Sequence, residues 1–232
     1  MLDALGISSY SYEECMDFLE KFSRLKNKLQ QQKENFDHIT FSKFILFGDT
    51  VIIYWPFCET RLSFDNLLIL TSVQISEIFE WGLENKIPFR RSIAIGDYLD
   101  KDNFLLGPAM FDANDWCEVA DWFGIICTPK TRLWIESVFE KLGQNKLEKS
   151  GLKEIFVEYN VPLTKPIDTE KSKKFLTFNW CNYLNFIEPS HNQTHLGKFL
   201  DLVYDFPMTK DGEKKISNGV KYFKDSNAGF KS

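Results

Sequence analysis

The stretch FILFGDTVIIYW, residues 44–55, decides how this chain is read. Two apolar runs, Phe44–Phe47 and Val51–Trp55, are broken only by Gly48, Asp49 and Thr50. Both flanks fit buried β-strand, and Gly-Asp between them is a hairpin signal, so a hairpin is predicted over 38–55. The turn accounts for the glycine. It gives no reason for a carboxylate at so apolar a tip, and Asp49 raises the question of whether a second carboxylate converges on it.

Working outward, Ser11-Tyr-Glu-Glu14 matches a capping box. Tyr12, Cys15, Met16, Leu19, Phe22, Leu25 and Leu29 follow at helical spacing. The polar end of that helix, KNKLQQQKEN, is expected to project into solvent. A second helix is predicted over about 65–84, with Leu67, Leu68, Ile75, Ile78, Phe79 and Leu83 inward. After Pro88, FRRSIAIGDY reads as a strand ending at Gly96. NFLLG, residues 103–107, reads as a short extended piece, and Pro108 opens a helix at its favoured first position. WFGIICTP, residues 122–129, is an apolar strand with a helix after it at about 130–143, and KEIFVEYNVPL, residues 153–163, alternates as a strand does.

The order βαββαβ, with antiparallel hairpins and further αβ elements behind it, predicts an α+β layer structure of ferredoxin-like type rather than a doubly wound parallel sheet. Residues 1–165 form the main domain in this reading. Residues 166–232 are an extension: a polar linker, the aromatic stretch FLTFNWCNYL, a helix at about 193–205 and a polar, Lys-rich tail expected to be loosely ordered.

Bulk properties exclude several classes. With 232 residues, 44% of them hydrophobic, the chain can bury a substantial core in one domain, or in one domain with an appendage. Its 22 Phe fit a filled interior and an extensive interface. A net charge of −5 makes no case for binding nucleic acid or acidic membranes. The apolar runs are far shorter than the ~20 residues of a spanning helix, and no secretory signal pattern opens the chain. The five cysteines, at 15, 58, 117, 127 and 181, lie far apart without a CxxC pair. They read as reduced thiols of a cytoplasmic protein rather than a zinc site. Gly-rich phosphate-loop and dinucleotide motifs are absent, and three histidines leave little room for a Ser-His-Asp triad. His191 and His195 stand four apart, but no Glu follows the first, and Pro189 and Gly197 bracket the pair, so they read as solvated. Met110, Phe111 and Trp116 read as core or interface.

The second carboxylate is Asp3, at the end of the first strand in MLDALGI and near Gly6. If that strand lies beside the hairpin, Asp3 and Asp49 meet at one sheet end. Two carboxylates held together repel unless a cation compensates them, and Mg²⁺ or Mn²⁺ is the usual partner. Spacing alone leaves the plainer alternative open, with Asp49 a turn residue and Asp3 a helix-entry residue. Asp3 has only two residues before it, so the first strand is barely a strand, and residues upstream of Met1 would lengthen it.

Seven motifs stand in an order that resembles the class III nucleotide cyclases, most closely the bacterial pyrimidine nucleotide cyclases of the Pycsar anti-phage systems. They are LDALG (2–6), FGDT (47–50), FRRSIAIGD (89–97), LLGPAMFDANDW (105–116), WFGIICTP (122–129), EYNVPL (158–163) and FNW (178–180). The resemblance implies a soluble homodimer that cyclises a pyrimidine nucleoside triphosphate, with UTP favoured over CTP, to a 3′,5′-cyclic second messenger in anti-phage defence. It implies a two-metal Mg²⁺ or Mn²⁺ site on Asp3, the Ala4 backbone and Asp49. The backbone of Ala4, Leu5, Gly6 and Ile7 would cradle the triphosphate, and Arg90 would turn toward phosphate.

The chain also departs from that family. Where purine cyclases read the base with polar side chains, Ile45 and Phe104 stand here, which suits a smaller base with an aromatic stacking partner. Lys43 shares a strand face with Ile45 and is a candidate base contact. The family's interfacial Asn and Arg fall on Phe111 and Asp115. Asn114, one residue off register, is a candidate for the ribose, and Arg91, Lys130, Arg132 and Lys165 are candidates to replace the Arg. The competing expectation is a catalytically degenerate cyclase-like domain that binds nucleotide or a partner.

Overall fold

The computed structural model describes residues 1–4, 10–31, 42–56, 64–101, 104–164, 174–182, 195–204, 206 and 210–228. Leu5, Gly6, Ile7, Cys58, Lys165 and His191 lie outside the described residues. In chain order the elements are β1 (Leu2–Ala4), α1 (Tyr12–Gln31), β2 (Lys43–Phe47), β3 (Thr50–Tyr54), α2 (Phe64–Glu84) and β4 (Phe89–Ile93). Then come β5 (Leu99–Lys101), β6 (Phe104–Leu106), α3 (Pro108–Val119), β7 (Gly124–Cys127), α4 (Pro129–Leu142), α5 (Gln144–Ser150) and α6 (Leu152–Ile155). The series ends with β8 (Phe156–Tyr159), β9 (Phe175–Phe178), α7 (His195–Tyr204) and α8 (Lys210–Ala228).

This is an α+β fold, as the element order predicts. Seven strands form one sheet in the order β2-β3-β1-β4-β7-β9-β8, and β5 and β6 form a separate two-stranded ribbon. β1 is antiparallel to both β3 and β4, and β2 is antiparallel to β3. Hence β1-α1-β2 and β3-α2-β4 are two parallel crossovers, each stepping over one strand of the other. β4 pairs in parallel with β7, whose four residues are all buried, as befits a strand covered on both faces.

Local chemistry sets the element ends. The Ser11 N–H donates to Glu14 Oε2 at 2.6 Å and the Glu14 N–H donates to Ser11 Oγ at 3.3 Å, so the capping box that opens α1 is reciprocal. Gly48 turns the β2–β3 hairpin at φ +59°, the glycine position of a two-residue II′ loop. Pro108 opens α3, and Thr128 caps α4 by accepting from the Thr131 N–H.

Four sequence expectations change. β4 ends at Ile93, not Gly96, because the chain then leaves the sheet and the Ile95 N–H donates to Thr131 Oγ1 at 2.9 Å. The extended piece at 104–106 is half of a ribbon whose other strand, β5, was not expected. The strand predicted over 153–163 is only Phe156–Tyr159, because Gly151 in the left-handed region (φ +67°) ends α5 and starts the short helix α6. Within the tail expected to be loosely ordered, Lys210–Ala228 form the 19-residue helix α8. Ile216, Val220 and Phe223 recur at i, i+4 and i+7 on its buried side, together with Tyr222.

Two apolar cores result. The smaller packs Phe18, Phe22, Leu25 and Leu29 of α1 against Val51, Ile53 and Phe89 of the sheet and Ile78 of α2. The larger gathers α2, β7, α4, β8, β9, α7 and α8 around Trp180, whose ring lies 4.6 Å from Phe79 and 5.4 Å from Phe199. Residues on both sides of position 165 share this larger core. Among the described residues, no helix is long and apolar enough to cross a membrane.

Candidate functional site

The face of the sheet turned away from α1 and α2 carries several of the residues singled out by sequence. Alternation along β3 buries Val51 and Ile53 on the helix side and leaves Thr50, Ile52 and Tyr54 half-buried on the other. Lys43 and Ile45 of β2 pair with Tyr54 and Ile52 and join that face. On β4 the same alternation divides two adjacent arginines. Arg90 is half-exposed, and its Nη1 donates to the Glu118 carbonyl at 3.2 Å, which tethers it to the end of α3. Arg91 is 1% exposed and lies under α2.

The short strand β1 links these pieces. Asp3 is opposite Thr50 on one side and Arg90 on the other, which makes Asp3, Thr50 and Arg90 one row across three strands. Asp49 precedes Thr50 and sits half-buried in the hairpin turn. Opposed antiparallel residues are ~5 Å apart at Cα and consecutive ones 3.8 Å, so the backbones of Asp3 and Asp49 approach to about 6 Å. The two carboxylate residues and Arg90 are thus brought together at one end of the sheet. Ala4 continues β1 opposite Phe89.

The remaining candidates lie elsewhere. Lys43 is at the far end of the hairpin, about 14 Å along the strand from the turn. Its Nζ forms an ion pair with Asp100 Oδ2 at 2.5 Å and lies 5.9 Å from the centre of the Tyr54 ring. Tyr54 also hydrogen-bonds Asp100, and its ring meets Tyr98 edge-on at 5.3 Å. Burial, reinforced by the neighbouring Asp100 carboxylate, pushes the Tyr54 hydroxyl up to about 12. The hydrogen bonds from Lys43 and then Tyr54 hold the Asp100 carboxyl below its usual range. Sequence reading missed this cluster, since 57 positions separate Lys43 from Asp100 and no motif links them.

Phe104 is 75% exposed on β6 and is not enclosed by its own chain. Leu99 and Leu106, paired across the ribbon, are exposed as well, and so is Phe111 in the first turn of α3. Asn114 is half-buried on α3, and Asp115 is exposed. Of the suggested replacements for a phosphate-binding Arg, Arg91 is enclosed and Arg132 is committed to Glu136, Glu158 and the Lys174 carbonyl. Lys130 stands exposed on the first turn of α4, close to Gly96.

Chemically, the sheet end offers two hard-oxygen residues, Asp3 on β1 and Asp49 in the adjoining turn, with Arg90 in the same row as Asp3. That donor set suits a divalent cation carrying an anionic ligand. No protein-family model, curated protein or solved structure matches this chain.

Proposed function

We propose that this chain is a class III-type nucleotide cyclase with a ferredoxin-like catalytic domain, which converts a pyrimidine nucleoside triphosphate, UTP in preference to CTP, to the 3′,5′-cyclic monophosphate and pyrophosphate. The observation that carries the reading is the register of β1, with Asp3 opposite Thr50 and therefore one residue from Asp49, and opposite Arg90 on its other side. Interlocked crossovers in the order β2-β3-β1-β4 support it as well.

Asp3 and Asp49 would hold Mg²⁺ or Mn²⁺. Bound there, the ions supply Lewis acidity toward the ribose 3′-hydroxyl and neutralise triphosphate charge. Asp3 and Asp49 act by supplying carboxylate oxygens to the cation at the sheet end. Arg90, oriented through its bond to the Glu118 carbonyl, is suited to meet the phosphate chain and hold the α-phosphorus in line with the 3′-oxygen. The 3′-oxygen attacks the α-phosphorus as the hydroxyl proton passes to solvent, and the bond from the α-phosphorus to the bridging oxygen breaks, releasing pyrophosphate. Half-buried Ile45 offers no hydrogen-bonding group to a base edge, which disfavours readout of adenine or guanine. The exposed apolar group of Leu99, Phe104, Leu106 and Phe111 fits a second copy of the chain, so that Phe104 and Asn114 serve the partner's site in a homodimer. A cyclic pyrimidine product fits a cytoplasmic second messenger in anti-phage defence.

A second reading, a cyclase-like domain that binds without turnover, is favoured by the exposed acidic residue Asp115 on α3. The deciding experiment incubates ATP, GTP, CTP and UTP separately with the protein and Mn²⁺ and resolves the products by mass, beside Asp49→Ala. A cyclic pyrimidine nucleotide that disappears in the variant is expected. No product from any of the four, at concentrations where the protein is dimeric, transfers the conclusion to the binding domain.

A further inference from the structure

A cavity of about 950 Å³ opens where β3, the end of β4, α2, α3 and α4 meet. Its walls are largely apolar, with Ile52, Leu68, Ile75, Ile125, Trp134 and Ile135 among them. It lies toward the Tyr54 end of the hairpin, away from the Asp49 turn, and Asp49 does not line it. Volume and lining are those of a small-molecule site, in which a few polar groups orient a mostly apolar guest.

The unusual wall residue is Arg91. It is 1% exposed, and its guanidinium sits 4.8 Å from the centre of the Phe79 ring and 4.7 Å from that of Phe89. Nη1 and Nη2 donate to the Ile75 and Ile78 carbonyls at 3.5 and 3.2 Å. Both carbonyls lie within α2 and already accept an N–H of the next helical turn, so the arginine fulfils no structural need there. Nε has no hydrogen-bond partner. Among the described residues no carboxylate acts on this charge; the Cys117 thiol is the one group that favours it. Burial accordingly holds the Arg91 pKa well below its ordinary value. A buried cation without an anion is a costly arrangement, and an apolar residue of similar volume would serve packing better.

We propose that the cavity binds an amphipathic monoanion, an apolar chain ending in a carboxylate, with the carboxylate drawn to the Arg91 guanidinium and the chain along the apolar walls. Nε is enclosed as well as unpaired, so a side-on pair with the carboxylate forms when the guanidinium turns toward the cavity. Lys130 adds a second positive charge at the rim. Of the two acidic residues that also line the cavity, Asp97 is exposed and Asp100 is already ion-paired with Lys43. This inference stands independently of the cyclase reading.

The test is calorimetric titration of the full chain with decanoate, decanol and decylamine, each below its micelle concentration. Decanoate is expected to bind about 10–100-fold tighter than decanol, the value of one charge-assisted contact, and decylamine more weakly than either. Each methylene added between octanoate and decanoate should tighten binding about 3–4-fold. Arg91→Met should stay folded, with an unchanged or higher Tm, and lose the preference for carboxylate over alcohol. Should that variant fail to fold, Lys130→Gln decides: a retained preference for carboxylate supports Arg91, and a lost one moves the anion to Lys130 and overturns the proposal. Equal affinity for acid and alcohol overturns the role of Arg91, and no binding of any of the three overturns the site.

Discussion

Replacing Gly219 by alanine turns the docking of α8 into a question of sign. A Cβ built on Gly219 would lie 2.7 Å from the Phe123 carbonyl oxygen and 2.9 Å from Phe123 Cβ, so helix and loop meet backbone to backbone. The same contact holds the Phe123 N–H on the Lys215 carbonyl at 2.9 Å and the Asn218 amide on the Asp121 carbonyl at 2.5 Å. In an exposed helix, Gly→Ala stabilises by about 1 kcal/mol. Here the helix must withdraw by more than half an ångström to reach ordinary contact. Overpacking of that kind costs about 1–3 kcal/mol, and weakening a buried hydrogen bond about 1 more. The net expectation is destabilisation by about 1–3 kcal/mol, or about 3–9 °C in Tm for a chain of this size. Urea unfolding followed by tryptophan fluorescence reads it well, because Trp122 and Trp180 contact α8 through Tyr222 and Phe223. A Gly219→Ala protein more stable than the parent by about 1 kcal/mol would refute the docking and restore a solvated tail.

Two further outcomes test other parts of the molecule. Phe104→Asp removes the most exposed apolar side chain of the ribbon and should shift the protein to monomer by sedimentation with Tm unchanged; a dimer as tight as the parent's would remove the ribbon from the interface. Burial pushes the Tyr54 and Tyr159 hydroxyls up to about 12, and raises Tyr222 too. Each folded pKa lies above the unfolded value of 10, so the unfolded state gives up these protons first. Their stabilising contribution is complete below pH 10 and is lost as pH rises toward 12. Urea midpoints should therefore fall between about pH 9 and about pH 11 while the folded protein shows delayed phenolate absorbance; a flat midpoint over that range would contradict the buried environments.

The parts of the fold legible from sequence are those with strong local chemistry. Ser11 and Glu14 announced α1, Gly48 the hairpin, and Pro108 the start of α3, because caps and turns depend on a few neighbouring residues. Tertiary context hid the rest. α8 carries its apolar stripe among lysines and glycines, and its polar composition conceals a helix that packing supports. β8 is shortened by the left-handed Gly151, which alternation cannot reveal. At the sheet end, Asp49 was singled out by its apolar flanks, Asp3 as a second carboxylate and Arg90 by motif order, and the register of β1 sets their backbones side by side. Alternation along β4 set Arg91 on the face opposite Arg90, as the structure has it; its enclosure under α2 and the Lys43–Asp100–Tyr54 cluster were illegible, since each depends on residues far apart in sequence meeting in the fold.

The place of α8 in the larger core has a consequence for synthesis of the protein. Trp122 and Phe123 leave the ribosome early, but Tyr222, which lies edge-on to Trp122, follows roughly a hundred residues later. At ~5–20 residues per second that interval is several seconds. For that time the aromatic floor beneath α8 is uncovered in the growing chain. A nascent protein of this design therefore needs either a holding chaperone or a temporary cover for those rings, and stalling anywhere between β7 and α8 would leave its stickiest surface exposed.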